Sequence, residues 1–289
     1  MALDQTDIDQ YEWKDGELVR RAEDKEMSFL EHLEELRWHI IRSLVAIVIA
    51  GIGLYLVNDW YFEKILLGPT QPDFLSYRMF CSASESLRLG SALCFEPPAF
   101  KPIAIGFAEA FITSIKMSFV GGLIIAFPYV FWEIWRFVRP GLYNEERVAT
   151  RGVVFVCSVL FLMGVLFGYF IIWPFGIKFL VGYTIPGVEN TPALYSVINY
   201  MTMFTLPAGL IFELPIVVYF LSRIGLLTSS AMRKYRRHAI IGVLALAAIL
   251  TPPDVVTQFL IGIPLFILYE ISIFVAARAA RQYQKELAD

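Results

Sequence analysis

The polar side chains that could do chemistry in this chain sit in or beside long apolar runs. Glu213 lies within one such run, between Pro207 and Pro215. A charge at membrane depth costs ~2.5–3.5 kcal/mol on insertion scales, so such a group should face protein or water, and function is the default reading. The prolines would free backbone carbonyls and kink the helix beside it. A protonated structural glutamate, hydrogen-bonded across helices, is the plainer alternative. Gln258 is a polar group in an apolar helix and needs a partner. Asp254 follows Thr251-Pro252-Pro253, and capping the next helix would explain it. Glu35 and Glu146 flank apolar runs, with Arg37 and Arg147 close by. Composition alone favours two solvated glutamates there, because exposed acids are ordinary.

Enzyme signatures are absent. There is no G-x-x-x-x-G-K-[ST], no H-E-x-x-H and no G-x-S-x-G. The three cysteines form no C-x-x-C and no zinc-spaced set with histidine. An intramembrane hydrolase would need a Ser or Asp pair at membrane depth, and none stands out. We therefore expect no catalytic residue, no metal and no cofactor. A net charge of −3 gives no reason to expect nucleic acid.

The elements that position these residues follow from hydropathy. The chain has 289 residues, 57% hydrophobic and 18% charged, where soluble domains are closer to half and a quarter. The excess is concentrated in runs long enough for membrane spans. An acidic tail over 1–26 reads as solvated and flexible, and no cleavable leader opens it. Ser28 and Glu31 make a capping box. Behind it, Phe29, Leu33, Leu36 and Ile40 form a helical stripe, which predicts a short amphipathic helix leading into span 1.

Spans are predicted over 38–57, 110–132, 152–174 and 200–221, with a long loop over 58–108. Gly164 and Gly168 form a GxxxG in the third. Residues 239–277 are apolar but interrupted at 251–254. They predict two short spans, 237–250 and 256–276, the first only ~21 Å long against a ~30 Å hydrocarbon core. The six spans form one domain over 27–279, followed by a C-terminal tail over 280–289. Trp132, Trp135, Trp173, Tyr129 and Tyr169 near span ends read as interface anchors.

Orientation follows from the basic residues. Arg136, Arg139, Arg147, Arg151, Arg233, Lys234, Arg236 and Arg237 fall on the side of the two termini. The opposite loops hold mainly Lys64, Arg78, Arg88 and Lys101 over a greater length. The positive-inside rule puts both termini in the cytoplasm. Cys81 and Cys94 then lie on the periplasmic side, where a disulfide would persist; two free thiols in a flexible loop are the alternative.

Four motifs now resemble one family in its own order. His32-Leu33-Glu34-Glu35-Leu36-Arg37 resembles the H-L-x-E-L-R signature of the twin-arginine translocase C subunit, the TatC family. Pro140-Gly141-Leu142-Tyr143-Asn144-Glu145-Glu146-Arg147 is similar to its P-x-L-Y-x-x-E-R loop. Phe212-Glu213-Leu214-Pro215 is similar to its F-E-x-P, and Leu250-Thr251-Pro252-Pro253-Asp254 to its L-T-P-P-D turn, with Gln258 following.

The resemblance implies an all-α, multi-pass protein of the bacterial inner membrane. It would bind twin-arginine signal peptides of folded cargo and organise single-span TatA-type and TatB-type subunits for export driven by the proton-motive force. Self-association in a multimeric receptor complex is expected with it. Glu35 and Glu146 would accept the arginine pair, Arg37 would orient the site, and Phe137 would add an apolar contact. Glu213, Gln258 and Asp254 would meet partner subunits. The longer acidic tail and the enlarged first periplasmic loop depart from the usual pattern. Apart from the resemblance, a proton- or ion-coupled small-molecule transporter built around Glu213 is the competing reading, although such folds often carry repeated halves and none is visible here.

Overall fold

The computed structural model describes residues 11–14, 17–20, 29–86, 88, 94, 100–138, 151–187, 190–223, 225–250 and 255–286. The membrane part is all helical. Among the described residues five helices are long and apolar enough to cross a membrane: His32–Leu56, Glu109–Val138, Gly152–Gly182, Leu194–Arg223 and Ile261–Ala280.

Helix α1 spans Phe29–Leu56 without interruption. The separate amphipathic helix expected before span 1 is therefore absent: the two merge, because no glycine or proline interrupts the sequence from Phe29 to Ala50. Leu33 and Ile40 of the apolar stripe are exposed, as lipid-facing side chains should be. Ser28 of the capping box lies outside the described residues.

The expected long loop contains helical segments among its described residues. It holds a π-helical turn at Tyr61–Leu66 and helix α2 at Leu75–Ser86. Cys81 in α2 is disulfide-bonded to Cys94. Closing a loop of this length contributes up to ~3 kcal/mol in the chain-entropy model. Mass spectrometry of protein alkylated after denaturation without reductant should find label on Cys157, the free buried cysteine, and none on Cys81 or Cys94.

Helix α3 (Glu109–Val138) packs along α1. Helix α4 (Arg151–Phe167) runs through a π-helical segment, Gly168–Ile172, into α5 (Trp173–Gly182). Pro174 has no N–H for the carbonyl four residues back, so the ladder widens there rather than breaking. The GxxxG pair lies in this helix and faces α6 (Leu194–Phe212). A Cβ on Gly164 would fall 2.6 Å from the Ala208 carbonyl oxygen, and one on Gly168 2.7 Å from that of Phe204. Here the motif serves contact within the chain.

Glu213 separates α6 from α7 (Leu214–Arg223). The break follows from Pro215, which cannot donate to the Ile211 carbonyl; the Glu213 N–H turns instead to Leu210 O at 3.1 Å. After α8 (Ser229–Lys234) come α9 (Arg236–Leu250) and α10 (Val255–Glu286). Helix α9 has 15 residues, ~22 Å, as short as expected. Helix α10 is not short. It has 32 residues, because the Ala-, Arg- and Gln-rich stretch after residue 276 is made of good helix formers with no stop signal.

Met117, Trp173, Ile177, Ile198, Met201 and Phe204 form the main core between α3, α5 and α6. Trp135 and Trp173 are buried, which corrects their reading as interface anchors; Trp132 stays exposed. The Glu109 carboxylate accepts the N–H groups of Ile105, Gly106 and Tyr195 at 2.8–2.9 Å. It ties the start of α3 to the start of α6 at the end of the bundle remote from Glu35. Strands β1 (Tyr11–Lys14) and β2 (Glu17–Arg20) pair antiparallel near the N-terminus, an element the sequence reading did not anticipate.

Candidate functional site

At one end of the bundle α1 and α3 bring polar groups together. Glu35 and His39 are one helical turn apart, hence on one face, and that face meets α3. His39 is 5% exposed and Glu133 1%. The His39 Nδ1 donates to Glu133 Oε2 at 2.5 Å. Glu133 Oε1 accepts the Tyr129 hydroxyl at 2.8 Å. On the other side of the imidazole, Nε2 lies 3.8 Å from Glu35 Oε1, an ion-pair distance too long for a hydrogen bond. Glu35 is partly open to solvent, its side chain 34% exposed. Its Oε2 is sheltered and has no hydrogen-bond partner.

Aromatic rings close the site. Phe137 stacks on His32 with centroids 4.4 Å apart and meets His39 edge-on at 6.1 Å. The Arg136 guanidinium lies 5.8 Å from the Trp132 ring centroid. Glu34 and Arg37 are exposed on other faces of α1. Glu35 and Phe137 are thus brought to one site, and Arg37 turns away from it. Glu146 lies outside the described residues, as does its whole motif.

His39 and Glu133 are absent from the sequence-based expectations, and His32 and Tyr129 enter them only as a motif residue and an interface anchor. The signal was present. Glu35–His39 and Tyr129–Glu133 are both i, i+4 pairs, and Glu133 is an acid inside an apolar helix. Ending span 2 at 132 had moved Glu133 just outside it. Tyr129, read as an interface anchor, is a hydrogen-bond donor to the buried acid.

The second group of residues is scattered. Glu213 is 9% exposed, and neither carboxyl oxygen has a hydrogen-bond partner by geometry. The Cys157 thiol of α4 approaches it. Gln258 at the start of α10 donates to the Leu244 carbonyl of α9 at 3.2 Å, a partner inside the chain. Asp254 lies outside the described residues. Among the described residues no cluster of His, Cys, Asp and Glu could hold a metal ion.

Comparison with known proteins gives one consistent result. The family model for "Sec-independent protein translocase protein (TatC)" matches residues 31–264. The Sec-independent protein translocase protein TatC of Blattabacterium sp. subsp. Periplaneta americana is 37% identical over 260 residues, covering 89% of this chain and 97% of that protein. The protein of the same name from Aquifex aeolicus is 34% identical over 264 residues, covering 90% and 99%. Two crystal structures of the twin-arginine translocase receptor TatC superpose with TM-scores of 0.64 and 0.65. They are 32% and 31% identical and cover 86% and 85% of this chain and 99% of each receptor chain.

Proposed function

Because the chain belongs to the TatC family of Sec-independent protein translocase proteins, we propose that Glu35, together with Glu146, accepts the paired arginines of export signal peptides. The chain is a translocase receptor and core subunit, a multi-pass protein of the bacterial inner membrane without catalytic activity of its own. The observation that carries the site proposal is the Glu35 carboxylate, partly open to solvent, with one oxygen unpartnered. A guanidinium presents two parallel N–H groups and is always charged, so a carboxylate with free acceptor positions is its natural complement.

The membrane arrangement proposed with it has six spans and both termini in the cytoplasm. The basic loops support it, and α9 is the short fifth span, reaching only part-way across the bilayer. Single-span TatA-type and TatB-type subunits would gather around Glu213, Gln258 and Asp254, in a self-associating receptor complex that uses the proton-motive force. The buried Glu213 carboxyl, with the weakly donating Cys157 thiol as its neighbour, supports that role, since a polar side chain from an incoming helix would supply stronger hydrogen bonds.

Photocrosslinking tests the site proposal. A crosslinker at Glu34 should capture a signal peptide carrying two arginines and lose it when both are lysine. Equal capture of the two peptides would overturn it. For the partner site, Glu213→Ala should give protein of normal abundance and melting temperature that retains less of the single-span subunits on purification. Lower abundance with no specific partner defect would mean that Glu213 is structural.

A further inference from the structure

The buried His39–Glu133 pair lies directly behind Glu35, and its placement suggests a task beyond holding α1 to α3. His39 on α1 is held by Glu133 of α3, and each Glu133 oxygen has a partner: one takes the imidazole, the other the Tyr129 hydroxyl. The ring is thereby fixed against rotation, with the edge of Phe137 against it and His32 stacked behind Phe137. Its free nitrogen is aimed at Glu35. That nitrogen stands 3.8 Å from Glu35 Oε1, close enough for electrostatic attraction and too far for a hydrogen bond.

We propose that His39, clamped by Glu133 and Tyr129, is a positioning and specificity-determining residue that orients the Glu35 carboxylate for a guanidinium. The proposal rests on the reading of Glu35 as an arginine acceptor. At 3.8 Å the imidazole attracts Glu35 without occupying its hydrogen-bonding positions. The carboxylate is thus drawn toward the ring while its side chain stays partly exposed and its sheltered Oε2 keeps no hydrogen-bond partner. A bidentate guanidinium needs that plane to be fixed, because both N–H bonds form only when the two planes match. An ammonium bonds as a point charge and does not need it. Freeing the carboxylate should therefore cost arginine more than lysine. The charged and titratable groups around the ring are Glu35, His32 and Arg42 on α1, and Glu133, Tyr129 and Arg136 on α3. Arg42 and Arg136 act on the Tyr129–Glu133 end of the array.

The test uses the full-length chain in its solubilised complex with the single-span subunits. Its probes are two labelled synthetic signal peptides, one with paired arginines and one with paired lysines. His39→Ala and Glu133→Gln should each weaken the arginine peptide by roughly tenfold and leave the lysine peptide near its original affinity, so that the ratio of the two falls. Tyr129→Phe should lower the ratio by less. His39→Arg, which places a fixed positive charge facing Glu35, should recover part of it. Equal loss for both peptides, or a ratio unchanged in His39→Ala, would overturn the proposal. If His39→Ala lowers the melting temperature, Tyr129→Phe, which removes one hydroxyl, becomes the deciding variant, and an unchanged ratio there would overturn it. Glu35→Ala separates the two readings. Should it leave arginine-peptide binding intact, the acceptor assignment itself is wrong and His39 has nothing to orient.

Discussion

Glu35→Ala should abolish crosslinking of a twin-arginine signal peptide while the complex with the single-span subunits persists. A charge-assisted hydrogen bond contributes ~1.5–3 kcal/mol, so losing the acceptor weakens binding by one to two decades. Because the Glu35 side chain is partly exposed, Glu35→Ala removes an acceptor without emptying a packed core. Glu146→Ala is expected to have the same effect. Glu34 and Glu145, their sequence neighbours, are the controls, and Glu34 is exposed on another face of α1. Alanine at Glu34 or Glu145 as damaging as at Glu35 or Glu146 would mean that diffuse acidity, and not a site, attracts the peptide.

Gly122→Val should have the largest effect on folding. Helices α1 and α3 touch backbone to backbone at this position. A Cβ on Gly122 would fall 2.6 Å from the Gly51 nitrogen and 2.7 Å from the Ile47 carbonyl oxygen. Neither is the end of a flexible side chain, so the helices must separate. Overpacking typically costs ~1–3 kcal/mol, and rigid backbone on the far side places this case at or above the top of that range. Separation at Gly122 would also draw His39 away from Glu133, one further stretch of the same interface. The expected result is a lower melting temperature and yield, with signal-peptide crosslinking lost alongside. Gly242→Ala, where an added Cβ meets nothing within 4 Å, should match the parent protein. A Gly122→Val protein as stable as the parent would show that α1 and α3 do not approach this closely.

Much of this architecture was legible because membrane helices advertise themselves. A backbone in hydrocarbon must satisfy its own hydrogen bonds, so apolar length alone marks a span. The break at Glu213 was legible too, because Pro215 lacks a donor wherever it sits in a helix. Other signals were local but passed over. Strands β1 and β2 flank Asp15-Gly16, a dipeptide favoured in two-residue hairpin loops. The continuation of α10 could have been read from its helix-forming composition.

What no local rule supplied was the pairing of distant positions. The sequence by itself determined the chemical inventory: an acid at each motif, an intramembrane glutamate between prolines, apolar runs and the basic loops between them. Tertiary structure alone decided that His39 meets Glu133, 94 residues away, and that Gly164 and Gly168 pack on α6 of the same chain. It also decided that Gln258 finds its acceptor on α9. The physical reason is that the lipid-facing and protein-facing sides of a membrane helix are both apolar, so hydropathy counts helices without orienting them. On α1 the apolar stripe at Leu33 and Ile40 is exposed, and the polar turn at Glu35 and His39 faces the protein. Which face turns inward is decided by the packing of α3 against α1.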